Sequence, residues 1–114
     1  MLVLPIKKKW FDMIVSGEKK EEYRQIKSYW TSRFIGKELD FEDLPKEFLN
    51  HQNKNYMITV IFKNGYRKDS PSIKCKCKLR IGSGKEEWGA IPRRECYILT
   101  ILKILEVRNV TYKK

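Results

Sequence analysis

The segment Gly17-Glu-Lys-Lys-Glu-Glu-Tyr-Arg24 gathers the residue types best suited to chemistry in this chain. If it runs from a helix end into a strand, Lys19 stands at the turn while Glu22 and Arg24 share one strand face. An amine, a carboxylate and a guanidinium converging on a cleft could hold a base edge and a phosphate together. The Lys–Glu pair could also move protons if burial shifted the amine toward neutrality. The same residues on an open surface would be an ion pair of little energetic weight. A second pattern is Lys74, Lys76, Lys78 and Arg80, which alternate with apolar residues. Same-face side chains on a strand stand about 6.8 Å apart, so these cations form a ladder roughly 20 Å long. It could follow a phosphate backbone with salt-sensitive, sequence-indifferent affinity. On a solvent-facing edge strand the same lysines would block sheet-to-sheet aggregation.

Aromatic side chains supply the third ingredient. Trp88 lies in a polar loop between Gly84 and Gly89, where it could stack on an unpaired base. Of Tyr29 and Trp30 one belongs to the core, and Tyr29 is taken as a candidate beside the cleft. Trp10 falls on a helical apolar stripe and is assigned to the core. The 3 cysteines, Cys75, Cys77 and Cys96, are an odd number, which argues against a disulfide framework. A three-thiolate site is conceivable, but His51 is the only histidine and the spacing fits no common zinc pattern. They are read as buried thiols acting as small hydrophobes, with no metal and no cofactor expected.

The elements that must position these groups follow from periodicity. Leu2–Leu4 reads as a short strand. Ile6, Trp10, Met13 and Ile14 place a helix over 6–16, capped by Gly17, with Lys7, Lys8 and Lys9 opposing its dipole at the start. Glu21–Ile26 alternates as a strand, and Ser28 caps a second short helix through Tyr29, Trp30, Arg33 and Phe34. The stretch 37–50 carries Glu38, Asp40, Glu42, Asp43 and Glu47 against Lys37 and Lys46, so it should face away from a polyanion. His51–Asn55 reads as a turn. Tyr56–Phe62 reads as a central strand, Asn64-Gly65 as a turn, and Ile73–Ile81 as an alternating strand broken at Gly82-Ser-Gly84. A polar loop over 82–95 leads to Tyr97–Val107, the longest strand, apolar on both faces in its middle. Helices near the N-terminus followed by strands define an α+β chain, and two-faced strands in so few residues favour a closed, barrel-like sheet.

The 114 residues suit one domain spanning 1–114. The chain carries 25 Lys+Arg against 14 Asp+Glu, a formal net charge of +11. Such a domain calls for an anionic partner, and RNA or a nucleotide is the leading expectation. No apolar run has the length of a membrane span, and the N-terminus lacks the order of a signal peptide. A cytoplasmic location is expected, with no membrane partner; the oligomeric state is left open.

The run Leu4-Pro-Ile-Lys7, Trp10-Phe-Asp-Met-Ile-Val-Ser-Gly17, Lys19, Glu22, Arg24 and Tyr29-Trp30-Thr-Ser-Arg33-Phe34 resembles the ASCH (activating signal cointegrator homology) domain. It is most similar to short phage- and prophage-type bacterial members, and Arg80–Gly84, Glu87-Trp88-Gly89 and Tyr97–Leu105 fit the same group. The resemblance implies a PUA-like β-barrel with a cleft lined by the Lys–Glu–Arg segment, binding RNA or a nucleotide. It also implies an enzymatic alternative, since one ASCH class hydrolyses N4-acylated cytidines with a lysine, a threonine and a glutamate. Lys19 matches the lysine, but Glu22 stands at the threonine's position, and the glutamate has no clear counterpart here. Ribonuclease activity accompanies some ASCH proteins, yet no nucleophile or His pair supports it in this chain. Three readings follow. The first is a binder using Lys19, Glu22, Arg24, Tyr29 and Trp88, with Lys74, Lys76, Lys78 and Arg80 as electrostatic support. The second is a small amidohydrolase with Lys19 and Glu22 as catalytic groups. The third is a phage-encoded protein-interaction module using the acidic 37–50 stretch.

Overall fold

The computed structural model describes residues 2–35 and 57–110. The acidic stretch 37–50 and the segment His51–Asn55 lie outside the described residues. The order is β1 (Leu2–Pro5), α1 (Lys8–Ser16), β2 (Glu21–Arg24), α2 (Ser28–Ile35), β3 (Met57–Lys63), β4 (Ser72–Ser83) and β5 (Glu95–Arg108), with one 3-10 turn at Glu86–Trp88 before β5. This is the expected α+β arrangement, with both helices near the N-terminus. Among the described residues no helix is long and apolar enough to cross a membrane.

Local sequence explains the elements that frame the site. Lys7 is the N-cap of α1, with no side-chain cap and no acidic residue in the first turn. At the other end Gly17 adopts the left-handed conformation (φ 86°) that a side chain would disfavour. Its N–H donates to Ile14 O at 3.1 Å, and Lys19 N–H donates to Met13 O at 2.9 Å. That closed turn leads directly into β2. The buried positions of α1 are Phe11 and Ile14, so the helix is rotated from the stripe through Trp10. Phe11, Ile14 and Val15 form an equally good apolar face at helical spacing.

The strands form one mixed sheet in the order β1-β3-β4-β5-β2, with β1 parallel to β3 and all other pairs antiparallel. It is not closed into the expected barrel. The strands that would have to meet, β1 and β2, are each 4 residues long, and α1 intervenes between them. They are not paired in the sheet, and a side chain links them, through Arg24 Nη2 donating to Pro5 O at 3.0 Å. The two-faced apolar character of β5 has another explanation. Near its start Tyr97 and Leu99 enter the core, while Ile98 on the opposite face lies between Tyr23 of β2 and Arg80 of β4. Farther along, Leu102, Ile104, Leu105 and Val107 are 40–48% exposed. Two register shifts against β4, at Lys74/Cys75 and Lys76/Cys77, bend this half of β5.

The inner face of the sheet, including Val60, Phe62, Ile73, Cys75, Cys77, Leu79, Tyr97 and Leu99, joins Phe11, Ile14 and Phe34 in one buried cluster. Each fully buried Leu, Ile or Phe there contributes about 1.5–3 kcal/mol. Trp30 packs against that cluster, whereas Tyr29 is 52% exposed, which settles which of the pair faces inward. β4 is the central strand, not an edge, so its lysines do not act as edge protection.

Candidate functional site

Alternation along β2 sorts its side chains. Glu22 and Arg24 lie opposite Leu99 and Tyr97, on the core side, while Glu21 and Tyr23 lie opposite Thr100 and Ile98 on the outer side. The turn after α1 turns Lys19 inward, so its side chain is 0% exposed. Its Nζ donates to the backbone carbonyl of Trp88 and pairs with Glu22 Oε1 at 3.1 Å. The ammonium also lies 4.6 Å from the Trp10 ring centre and 5.1 Å from that of Tyr23. Burial pushes the Lys19 amine below the usual lysine range, and the Glu22 carboxylate opposes that shift.

The array continues from Glu22 to Arg24. Glu22 Oε2 accepts from Arg24 Nη1 at 2.7 Å, and Nη1 also donates to Tyr23 O at 2.7 Å. The guanidinium lies 5.1 Å from the Trp30 ring centre, with Tyr29 edge-on to Trp30 at 4.7 Å. Lys19, Glu22 and Arg24 therefore do converge as one charged chain. Its acid stands between two cations, with its side chain 7% exposed.

Beside this chain opens a cleft of about 220 Å³, lined by Lys7 and Trp10 at the start of α1, Glu22 and Arg24 of β2, and Trp88 and Gly89 of the loop. Lys19 is not on its wall; it lies behind, holding the loop to β2. Gly89 has φ 101°, and a Cβ there would stand 3.2 Å from Trp10 Cζ2, so both its conformation and its contact favour glycine. The loop is fastened a second time where Lys85 N–H donates to Tyr23 OH at 3.0 Å and Tyr23 OH donates to Glu21 Oε1 at 2.8 Å. Burial raises the Tyr23 phenol above its ordinary value. A smaller hollow of about 90 Å³ shares Tyr23, Arg24 and Gly89 with the cleft and adds Arg94 and Glu95.

The ladder residues occupy the outer face. Lys74 stands opposite Glu106 and Lys76 opposite Lys103, while Arg80 Nη2 pairs with Glu21 Oε2 at 3.1 Å. No acid forms an ion pair with Lys74, Lys76, Lys78 or Lys103 among the described residues. A shallow hollow of about 160 Å³ lies at the far end of this face between Lys74, Glu106 and Arg108.

Besides Lys19, the proposed binding residues Tyr29, Lys74, Lys76, Lys78 and Arg80 stand apart from the cleft wall. Tyr29 projects from α2 and accepts from Arg33 Nη2 at 3.0 Å, and the ladder lies across the sheet. Trp88 does line the cleft, with Lys85 Nζ 4.4 Å from its ring centre. Sequence reasoning missed Lys7 and Trp10 as cleft residues. The competing apolar face through Phe11 was the available signal, because it frees Trp10 from the core. The thiols do not gather: Cys75 and Cys77 face the core, while Cys96 lies opposite Gly82 toward the other end of β4. Burial pushes Cys75 and Cys77 up to about 12. No group of three or more His, Cys, Asp or Glu side chains able to hold a metal occurs among the described residues. No family model, curated protein or solved structure matches this chain.

Proposed function

We propose that the chain is an ASCH-type domain that binds an unpaired nucleotide of RNA in the cleft between α1, β2 and the Trp88 loop. The observation that carries this reading is the composition of the cleft wall: two tryptophans, Trp10 and Trp88, together with Lys7, Arg24 and Glu22. The Trp88 indole accepts a base by stacking, while Trp10, with Lys9 and Lys19 over its ring, completes the wall. The cations attract the phosphate, and the carboxylate offers a fixed acceptor. The resemblance of Gly17–Arg24 to the ASCH motif supports the same reading, since that segment supplies Glu22 and Arg24 to the wall. The outer lysines add sequence-independent attraction for the rest of the strand.

The hydrolytic reading draws on the lowered pKa of Lys19 beside Glu22. Its amine has no exposed surface and is engaged by Trp88 O, Glu22 and the Trp10 face, an arrangement suited to positioning the loop. Binding to a short single-stranded RNA, measured by fluorescence anisotropy, separates the readings. Loss of one stacking platform in Trp88→Ala should cost about 1–3 kcal/mol of binding free energy. Arg24→Ala should weaken binding further. Unchanged affinity in both variants would overturn the cleft as the binding site. Turnover of an N4-acylated cytidine that vanished in Lys19→Ala would replace the binder with the hydrolase.

A further inference from the structure

We infer that the cleft selects guanine among the bases, with Glu22 as the specificity-determining residue. This inference rests on the nucleotide-binding reading and deepens it. The argument starts from which hydrogen-bonding sites remain unused. A carboxylate has about four acceptor positions. Glu22 commits Oε1 to Lys19 at 3.1 Å and Oε2 to Arg24 at 2.7 Å, so each oxygen keeps acceptor capacity. Arg24 has about five N–H donors. Nη1 serves Glu22 and Tyr23 O, and Nη2 serves Pro5 O, which leaves one Nη2–H and the Nε–H. Both residues line the cleft, whereas Lys19 does not. Along the ion-pair chain the order is the remaining donors of Arg24, then the acceptor Oε2 that Arg24 holds, then the acceptor Oε1 that Lys19 holds.

That order discriminates among base edges. The Watson–Crick edge of guanine reads acceptor, donor, donor: O6, N1–H and the N2 amino group. O6 would meet Arg24, N1–H would meet Oε2, and the amino group would meet Oε1. Uracil offers acceptor, donor, acceptor, so its O2 would face Oε1 with lone pair against lone pair. Cytosine in the same register offers donor, acceptor, acceptor, the same sequence as the ion-pair chain. Adenine, moved by one position, pairs N1 with Arg24 and its amino group with Oε2 but leaves Oε1 unpaired. The two flanking cations fix the carboxylate in place, so it cannot swing away to relieve a mismatched base. A buried polar wall left unpaired by the wrong ligand discriminates more strongly than a hydrophobic one.

The test uses short single-stranded RNAs identical except for one central base, with affinity read by fluorescence anisotropy. The guanine oligonucleotide should bind about tenfold to hundredfold more tightly than the cytosine one, with adenine and uracil between. Replacing guanine by hypoxanthine removes only the N2 amino group, so inosine should lose about tenfold relative to guanosine with the protein unaltered. Glu22→Gln should flatten the ranking, because one acceptor becomes a donor. If that variant fails to fold, the inosine comparison still decides the matter. Equal affinity for all bases, or a preference for cytosine or adenine, would overturn guanine selection and leave RNA binding standing. No binding to any of these RNAs would overturn the nucleotide reading as well.

Discussion

Glu21 and Glu22 are neighbours in β2, yet they belong to opposite electrostatic worlds. Glu22 faces inward, carries two cations at 3.1 and 2.7 Å, and has 7% of its side chain exposed. Glu21 faces the outer side and meets Arg80 at 3.1 Å, at one end of a face where Lys74, Lys76, Lys78 and Lys103 lack ion-pair partners among the described residues. On the inner side each charge is fixed by another, so the array presents a directional pattern. On the outer side the charges are less confined and attract anions without reading them. The first arrangement suits selection among ligands, and the second suits affinity for a strand of any sequence.

Removing the two acids one at a time gives the largest expected contrast. Glu22→Leu leaves Lys19 buried without its counter-charge and should destabilise the protein by about 3–5 kcal/mol. Glu21→Leu breaks a less buried pair and removes the acceptor of the Tyr23 hydroxyl, and should cost about 1–2 kcal/mol. Urea unfolding of both variants measures the difference. Equal losses would mean that the inner array is no more constrained than the outer one.

Much of this division is legible in the sequence alone. The alternation of β2 put Glu22 and Arg24 on one face, and that of β4 put four cations on another, because a period of two is a direct consequence of strand geometry. Gly17 marked the end of α1 for an equally local reason. What stayed hidden depends on contacts between distant segments. The clasp from Lys19 to the Trp88 carbonyl uses a backbone acceptor, which leaves no mark in the sequence. The same holds for Arg24 reaching Pro5 O, the link that stands where a barrel would have had a β1–β2 ladder. Trp10 was misassigned because α1 carries two apolar stripes, and tertiary packing chose the one through Phe11.

The inner side of β4 itself offers the next contrast. Cys75 and Cys77 alternate with the outer lysines but lie in the core, and burial raises each from 9.0 to about 12. Below 9.0 the thiols are protonated in both states, so their full contribution to stability is present. As pH rises from there toward about 12, the unfolded chain releases these protons first and stability falls. The raised phenol of Tyr23 acts in the same direction, whereas the lowered amine of Lys19 acts in the opposite one. The two buried thiols should together steepen the loss of stability across that range. Thermal unfolding followed at increasing pH tests this. The double variant Cys75→Ala/Cys77→Ala should start less stable from lost packing but decline less steeply. Parallel declines would show that the two thiols do not govern the alkaline limb.

The outer lysines should have the smallest effect on folding and a distinct one on binding. Lys76→Ala/Lys78→Ala removes side chains without ion-pair partners among the described residues and should change stability by no more than about 0.5 kcal/mol. If both contact phosphates, the slope of log affinity against log salt should become shallower by about 1.4, at roughly 0.7 per single-strand contact. The ranking among central bases should not move, since these residues stand across the sheet from the cleft wall. A shallower slope with an unchanged ranking is the signature of a face that attracts and a cleft that selects. An unchanged slope would remove the ladder from binding, and a changed ranking would mean that the two regions are not separable.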